Sequence, residues 1–383
     1  MNTFRLSVLF IVISSGCPAQ NWQPLGIGFS YPPTYIYEDS LTDQLFAGGP
    51  FVYANSQFVR GATSFDGSSW NFLAPGINDC SWGPGGNSNV WSIVRYGNHI
   101  YYGGNFDCAG NTDNTNAFAR WDGSSWDSVP GGDIPYGCVI RDMIVYNNEL
   151  YVCGTFDSIG NLPAKGIAKW DGTTWSVIGS NYNFTAGSSF LTKMMFYHGN
   201  LYVAGVIHDP QGNARDLAKW DGSTWQFFSN GFWSIWDMEV YNDELYVAGE
   251  FYYGGGNPGT GIMRWNDTTW RDVGGSVQMG ALNQYPVVKE MCVHDGKLYC
   301  VGNFEKIGGV DALGLASWDG NFWCGYDTHF DFSAPNEFVG AVNIAFSETP
   351  CMWVADFNIW IRCRLITLQD GLAGILLIRA GLR

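Results

Sequence analysis

The chain has 383 residues, with 35 Asp and Glu against 19 Lys and Arg, for a net charge of −16. Phosphate recognition needs clustered Lys and Arg, so this balance argues against nucleic acid and against an anionic membrane surface as partners. Fifty glycines and 16% aromatic residues against 14% charged ones suit an all-β chain, and no helical heptad pattern occurs.

Residues 1–19 read as a secretory signal: Arg5 is the positive flank, Leu6 to Ile13 the apolar run, and Ser14 to Ala19 a small-residue exit. Cleavage after Ala19 leaves Gln20-Asn21-Trp22 as the new start. The rival reading is a lipoprotein acylated on Cys17, with Ser14 standing where a Leu is usual. No other apolar run reaches the ~20 residues of a membrane span. Ten cysteines suit an oxidising compartment.

Next, Trp22-Gln23-Pro24-Leu25-Gly26 matches Trp175-Ser176-Val177-Ile178-Gly179, far from any strand that it could follow. A phrase then recurs six times. Phe65-Asp66-Gly67-Ser68-Ser69-Trp70 returns as Trp121 to Trp126, Trp170 to Trp175, Trp220 to Trp225, Trp265 to Trp270 and Trp318 to Trp323, at steps of 56, 49, 50, 45 and 53 residues. A second phrase lies upstream of it. Asp142 to Phe156 and Asp237 to Phe251 each show two alternating runs around a polar dipeptide, the signature of a tight hairpin. These runs are strands a and b; Ile167 to Trp170 is strand c; Trp175 to Ile178 is strand d. Asp-Gly between c and d supplies the positive φ that a two-residue turn demands. Strand a starts near residues 34, 90, 140, 191, 235 and 288.

A period near 50 residues built of short strands predicts a β-propeller, one sheet per repeat. Val342 to Phe346 and Cys351 to Phe357 form a seventh a–b hairpin without the Trp-Asp-Gly phrase. The expected fold is therefore all-β, a seven-bladed β-propeller over residues 20–360, with the last blade closed by the N-terminal strand. Residues 361–383 are aliphatic and basic, lack Trp, Tyr and Phe, and are expected to add little to the ring.

Leu-Tyr-Val-x-Gly followed by Trp-Asp-Gly-Ser/Thr-x-Trp resembles the extracellular kelch-like propeller repeats of bacterial surface and secreted proteins. The resemblance covers residues 22–357 and implies a scaffold and an extracellular location, since that family is defined by its scaffold. A C-terminal sorting domain, common in such proteins, is not recognisable here.

The repeated aspartates at the c–d turns occur in almost every repeat, whereas a catalytic site occurs once, so they read as turn residues. His99, His198 and His294 fall on a–b turns of three different repeats and read as solvated; His208 and His329 lack a partner at metal-ligand spacing. No cofactor and no metal site is expected. Cys153 occupies a position where other repeats carry Ala204 and Ala248, and reads as a small apolar residue. Cys80 and Cys108 lie in loops expected to adjoin, and are the disulfide candidates.

The d–a and b–c loops share one face and are long and variable. They carry aromatics that no repeat rule demands: Trp82, Tyr136, Tyr182, Phe184, Trp233, Tyr285, Tyr326 and Phe330. Rigid scaffolds carry function on such loops. The expected function is an extracellular binding or adhesion module for a glycan or protein. The alternatives are a polysaccharide-degrading enzyme, favoured by a carboxylate cluster on the central axis, and a structural module of a surface assembly.

Overall fold

A computed structural model describes residues 20–22, 29–31, 33–78, 88–112, 115–179, 182–184, 190–228, 234–251, 258–279, 286–326, 341–347, 351–356, 360–367 and 373–377, with backbone alone for 20–22 and from 341 onward. The chain is all-β. Among the described residues six antiparallel sheets of four strands follow one another, a seventh has five, and three smaller sheets of two or three strands lie in the connections. The third sheet shows the plan: Val139–Tyr146, Glu149–Thr155, Ile167–Trp170 and Trp175–Val177 pair in chain order. The first strands of the other sheets are Tyr35–Asp39, Asn89–Tyr96, Phe190–Tyr197, Ser234–Tyr241, Val287–His294 and Ala341–Ser347. Each adjoins the next, and Ala341–Ser347 adjoins both Val287–His294 and Tyr35–Asp39.

The a–b turns follow from their residues. Asn147 and Asn148 take φ of 49° and 62°, and Asn242 and Asp243 take 48° and 61°, values that Asn and Asp tolerate. At the c–d turns the repeated Asp is a cap. Asp122 Oδ1 accepts the amides of Ser124 and Ser125, both at 2.7 Å, and the Ser124 hydroxyl at 2.9 Å. Asp171 and Asp221 repeat this pattern, and Asn266 does so in the fifth sheet. These bonds hold the Asp122 carboxyl well below the usual carboxylate range. A charge committed to its own turn is structural, as the recurrence implied.

The two aromatic residues of each phrase, both tryptophan after the first repeat, help join neighbouring sheets. Trp170 and Trp175 pack with ring centroids 5.1 Å apart, and Trp121 and Trp126 at 5.3 Å. The second ring then donates Nε1–H backwards: Trp126 to Leu73 O and Trp175 to Pro130 O, each at 3.0 Å, and Trp323 to Val273 O at 2.6 Å. In these three sheets a buried indole satisfies its only donor while tying the outer strand to the preceding sheet; Trp225 Nε1 makes no such bond.

The last sheet corrects two expectations. Its order is Ala341–Ser347, Cys351–Asp356, Trp360–Thr367, Ala373–Leu377 and Gln20–Trp22. The aliphatic, basic segment thus supplies the third and fourth strands, and its alternating β-branched and aliphatic residues suit that role. The N-terminal strand does not lie beside the 341–356 hairpin. It is the fifth strand and pairs in parallel with the fourth, Gln20 opposite Ile375 and Trp22 opposite Leu377.

Candidate functional site on the converging first strands

The first strands come close together, since the Tyr35 ring of the first sheet lies 6.0 Å from Lys193 Nζ of the fourth. Their pairing contains a recurrent irregularity. In the second sheet the register shifts between Gly103 and Gly104, which face Ser92 and Val90, leaving Trp91 as an extra residue. The same shift leaves Arg141, Thr192, Trp236, Lys289 and Val342 extra in the five sheets that follow. A β-bulge re-aims a side chain and interrupts the edge it sits on. One such position recurs near the start of the first strand in six sheets, toward the face of the d–a loops.

The bulged residues are chemically unlike one another, while their neighbours repeat. Arg141 lays its guanidinium over Trp91 of the preceding sheet, 3.6 Å from the ring centroid. Arg141 Nε is buried without a hydrogen-bond partner, and the side chain has no ion pair among the described residues. Burial pulls its pKa down. Trp236 is half exposed, at 50%. Thr192 Oγ1 donates instead to Ala204 O at 3.2 Å.

The next residue along each strand is polar: Ser92, Asp142, Lys193, Asp237 and Glu290. These groups join the sheets. Ser92 Oγ accepts Met143 N–H at 3.0 Å, Asp142 Oδ2 accepts Met194 N–H at 2.8 Å, and Asp237 Oδ2 accepts Met291 N–H at 2.6 Å. Each thus satisfies an amide on the first strand of the following sheet. In the fourth sheet Lys193 Nζ reaches Asp237 Oδ1 at 3.0 Å. Burial acts to lower the Lys193 pKa, but Asp237 and then Asp142 more than offset it, so the ammonium is held well above its ordinary value. Burial pushes the Asp142 carboxyl up to about 6 and the Glu239 carboxyl up to about 7. Asp142 and Asp237 both act on the Lys193 ammonium, but both are buried and spend oxygens on neighbouring backbone. Among the described residues no group of three or more His, Cys, Asp or Glu could hold a metal ion.

The loop aromatics divide. Tyr136 is 74% exposed. Tyr182 packs edge-on to Phe184 at 4.6 Å and against Phe227 at 4.9 Å. Phe184 is fully buried against Trp225, and Tyr326 is buried with its hydroxyl 3.0 Å from Ser317 Oγ. These two rings fill the core, which corrects their expected role in contacting a ligand. Trp82, Trp233, Tyr285 and Phe330 lie outside the described residues. Cys108 is disulfide-bonded. Its strand Cys108–Ala109 pairs with Ile77–Asn78, and Cys80 lies outside the described residues. Cys153 is free and buried, as its repeat position implied.

On the opposite face His198 is not simply solvated. Its Nδ1 lies 2.5 Å from Asp267 Oδ2 and its Nε2 lies 2.8 Å from Asp243 Oδ1, both on the fifth sheet. Hydrogen bonds to Asp243 and then Asp267 raise its pKa. Asp267 stands where the other repeats carry Gly and keeps a φ of 69°. Sequence reasoning passed over this contact, although that break in the repeat was its signal.

No family model matches the chain, and no curated protein matches it. Solved structures share its fold. The GH74 xyloglucanase of Xanthomonas campestris aligns with a TM-score of 0.58 at 14% identity, covering 94% of this chain and 56% of that one. The extracellular domain of the hybrid two component system BT4673 from B. thetaiotaomicron aligns with a TM-score of 0.56 at 11% identity, covering 91% and 40%. The WD40 β-propeller domain of Doa1 aligns at 0.51 and 11%, covering 89% and 95%. The chain thus spans less than two thirds of the sensor domain and of the xyloglucanase. No helix among the described residues is long and apolar enough to cross a membrane. The chain has an all-β, multi-bladed repeat fold similar to the folds of these structures.

Proposed function

We propose that this chain is a secreted, kelch-like propeller of seven blades that binds an extracellular glycan or protein on the face carrying its d–a loops. The supporting observation is the bulge level, where Trp91, Arg141 and Trp236 break an otherwise repeating strand and Trp236 is left half exposed. Variation at one position of a repeating frame is where a scaffold carries specificity. In this reading the contact of Ala341–Ser347 with Tyr35–Asp39 closes the ring. Cys80 is the partner of Cys108, residues 1–19 are removed on export, and the N-terminal strand reinforces the final blade. The test is a binding screen of the exported chain, from residue 20 to its end, against glycans and surface proteins. Retention of a ligand that Trp236→Ala releases supports the proposal; a ligand indifferent to every substitution on this face refutes it.

A second reading is an enzyme of polysaccharide breakdown, favoured by two carboxyls with raised pKa, Asp142 and Glu239. Hydrolysis of a screened polysaccharide, lost in Glu239→Gln with folding intact, would select it.

A further inference from the structure

The bulge level also carries a charge argument. Arg141 is a half-buried guanidinium in a chain of net charge −16, yet no carboxylate among the described residues pairs with it. Among the described side chains five other arginines are paired, Arg95 with Asp39, Arg120 with Asp127, Arg215 with Asp209, and Arg264 and Arg271 with Glu244, while Arg60 lies over the Phe58 ring. Its adjacent carboxylate, Asp142, is directed to Met194 N–H on the fourth sheet. A cation removed from water without a counter-ion is costly. Trp91 beneath it offsets part of that cost and holds the fork flat. What remains is a preoriented guanidinium edge, shaped for two parallel hydrogen bonds to a carboxylate.

Two exposed aromatic residues favour a sugar over a peptide. Trp236, at the matching position of the fifth sheet, and Tyr136, on the loop leading into the third, expose broad aromatic faces suited to the C–H face of a pyranose. Peptides commonly bind by adding a strand to a free edge. Here the bulge interrupts the exposed edge of six first strands.

We propose that the bulge level binds a carboxylated oligosaccharide of the uronic-acid class, with Arg141 engaging a sugar carboxylate and Trp236 stacking on a ring face. The inference rests on the binding face proposed above and adds the ligand's charge. Because the protein is acidic overall, distant charges repel such a ligand while the Arg141 contact attracts it. Added salt therefore weakens binding less than it would for a basic protein.

Isothermal titration of the exported chain with an oligogalacturonide and with its methyl-esterified form tests this directly. The free acid should bind at least about tenfold more tightly than the ester. Arg141→Gln should erase that preference, and Trp236→Ala should weaken both ligands together. Arg141→Lys keeps the charge and loses the fork, so it should retain only part of the preference; it also serves if the Gln variant fails to fold. Equal binding of acid and ester, or an unchanged preference in both Arg141 variants, overturns the inference. A poly-glutamate peptide that binds as tightly as the oligogalacturonide also overturns it, in favour of an acidic peptide. If neither uronide binds but another glycan does, and Trp236→Ala releases it, the face stands and the acid preference falls. If no substitution on this face alters any ligand, both fall.

Discussion

Lys193 Nζ sits 3.0 Å from Asp237 Oδ1 and joins the first strands of the fourth and fifth sheets, while the other oxygen of Asp237 accepts Met291 N–H from the sixth. One carboxylate therefore couples three successive sheets. Asp237 is buried, and Lys193 keeps only 18% of its side-chain surface. Removing one partner leaves a charge without compensation. Lys193→Met should destabilise the chain by about 3–5 kcal/mol in urea unfolding. Lys193→Met with Asp237→Asn should recover at least half, because the amide oxygen still accepts Met291 N–H. A loss below about 1 kcal/mol in the single variant would mean that the pair is solvated like a surface ion pair.

The His198 contact predicts a pH dependence of stability. Its folded pKa lies above the ordinary 6.5 because Asp243 and Asp267 hold the charged ring. The stabilisation is therefore complete below the unfolded value, while both carboxylates remain ionised. It is lost as pH rises through the raised folded value. His198→Gln should lower the melting temperature more at about pH 5.5 than at about pH 9. The ring is 43% exposed, so screening keeps the difference modest. A larger penalty at the alkaline end would contradict this assignment.

The order of the last sheet sets the outcome of truncation. Ending the chain after Phe357 removes Trp360–Thr367 and Ala373–Leu377, strips Gln20–Trp22 of its partner and bares the edge of Cys351–Asp356. The melting temperature should fall by about 1–3 °C, what a loss of 1–2 kcal/mol produces in a chain of this size, and aggregation should increase. An unchanged melting curve would show that these strands contribute nothing.

Trp175→Phe separates the hydrogen bond of the repeated tryptophan from its bulk. The ring contact with Trp170 survives in part, but Pro130 O loses its donor. The expected cost is about 1 kcal/mol by thermal or urea unfolding. A neutral substitution would show that the ring alone joins the sheets.

The repeats were legible because their turns dictate residue type. Only a short acceptor such as Asp66 or Asp122 caps two successive amides, and only Gly at the next position takes its positive φ at no cost. Asp267 shows the limit of that rule, since a partner across the sheet boundary accompanies the strained residue. The last sheet was harder to read because Trp360–Thr367 and Ala373–Leu377 pair without the Trp-Asp-Gly turn. Loop composition alone did not distinguish exposed Tyr136 from buried Phe184, which fills the space beside Trp225. The bulge level did leave a trace. Val90-Trp91-Ser92-Ile93, Ile140-Arg141-Asp142-Met143 and Ile235-Trp236-Asp237-Met238 each break strict alternation at one place, as an extra residue in a strand requires.

The most direct test of the binding face compares two double variants against the glycan retained in the screen, by isothermal titration at fixed salt. Trp91→Ala with Trp236→Ala removes the aromatic faces of the bulge level, whereas His99→Ala with His294→Ala alters the short turns of the opposite face. The first should weaken binding by tenfold or more, about 1.4 kcal/mol, with the fold intact, and the second should leave affinity unchanged. Loss of binding in the His pair with retention in the Trp pair would place the ligand on the wrong face for this account.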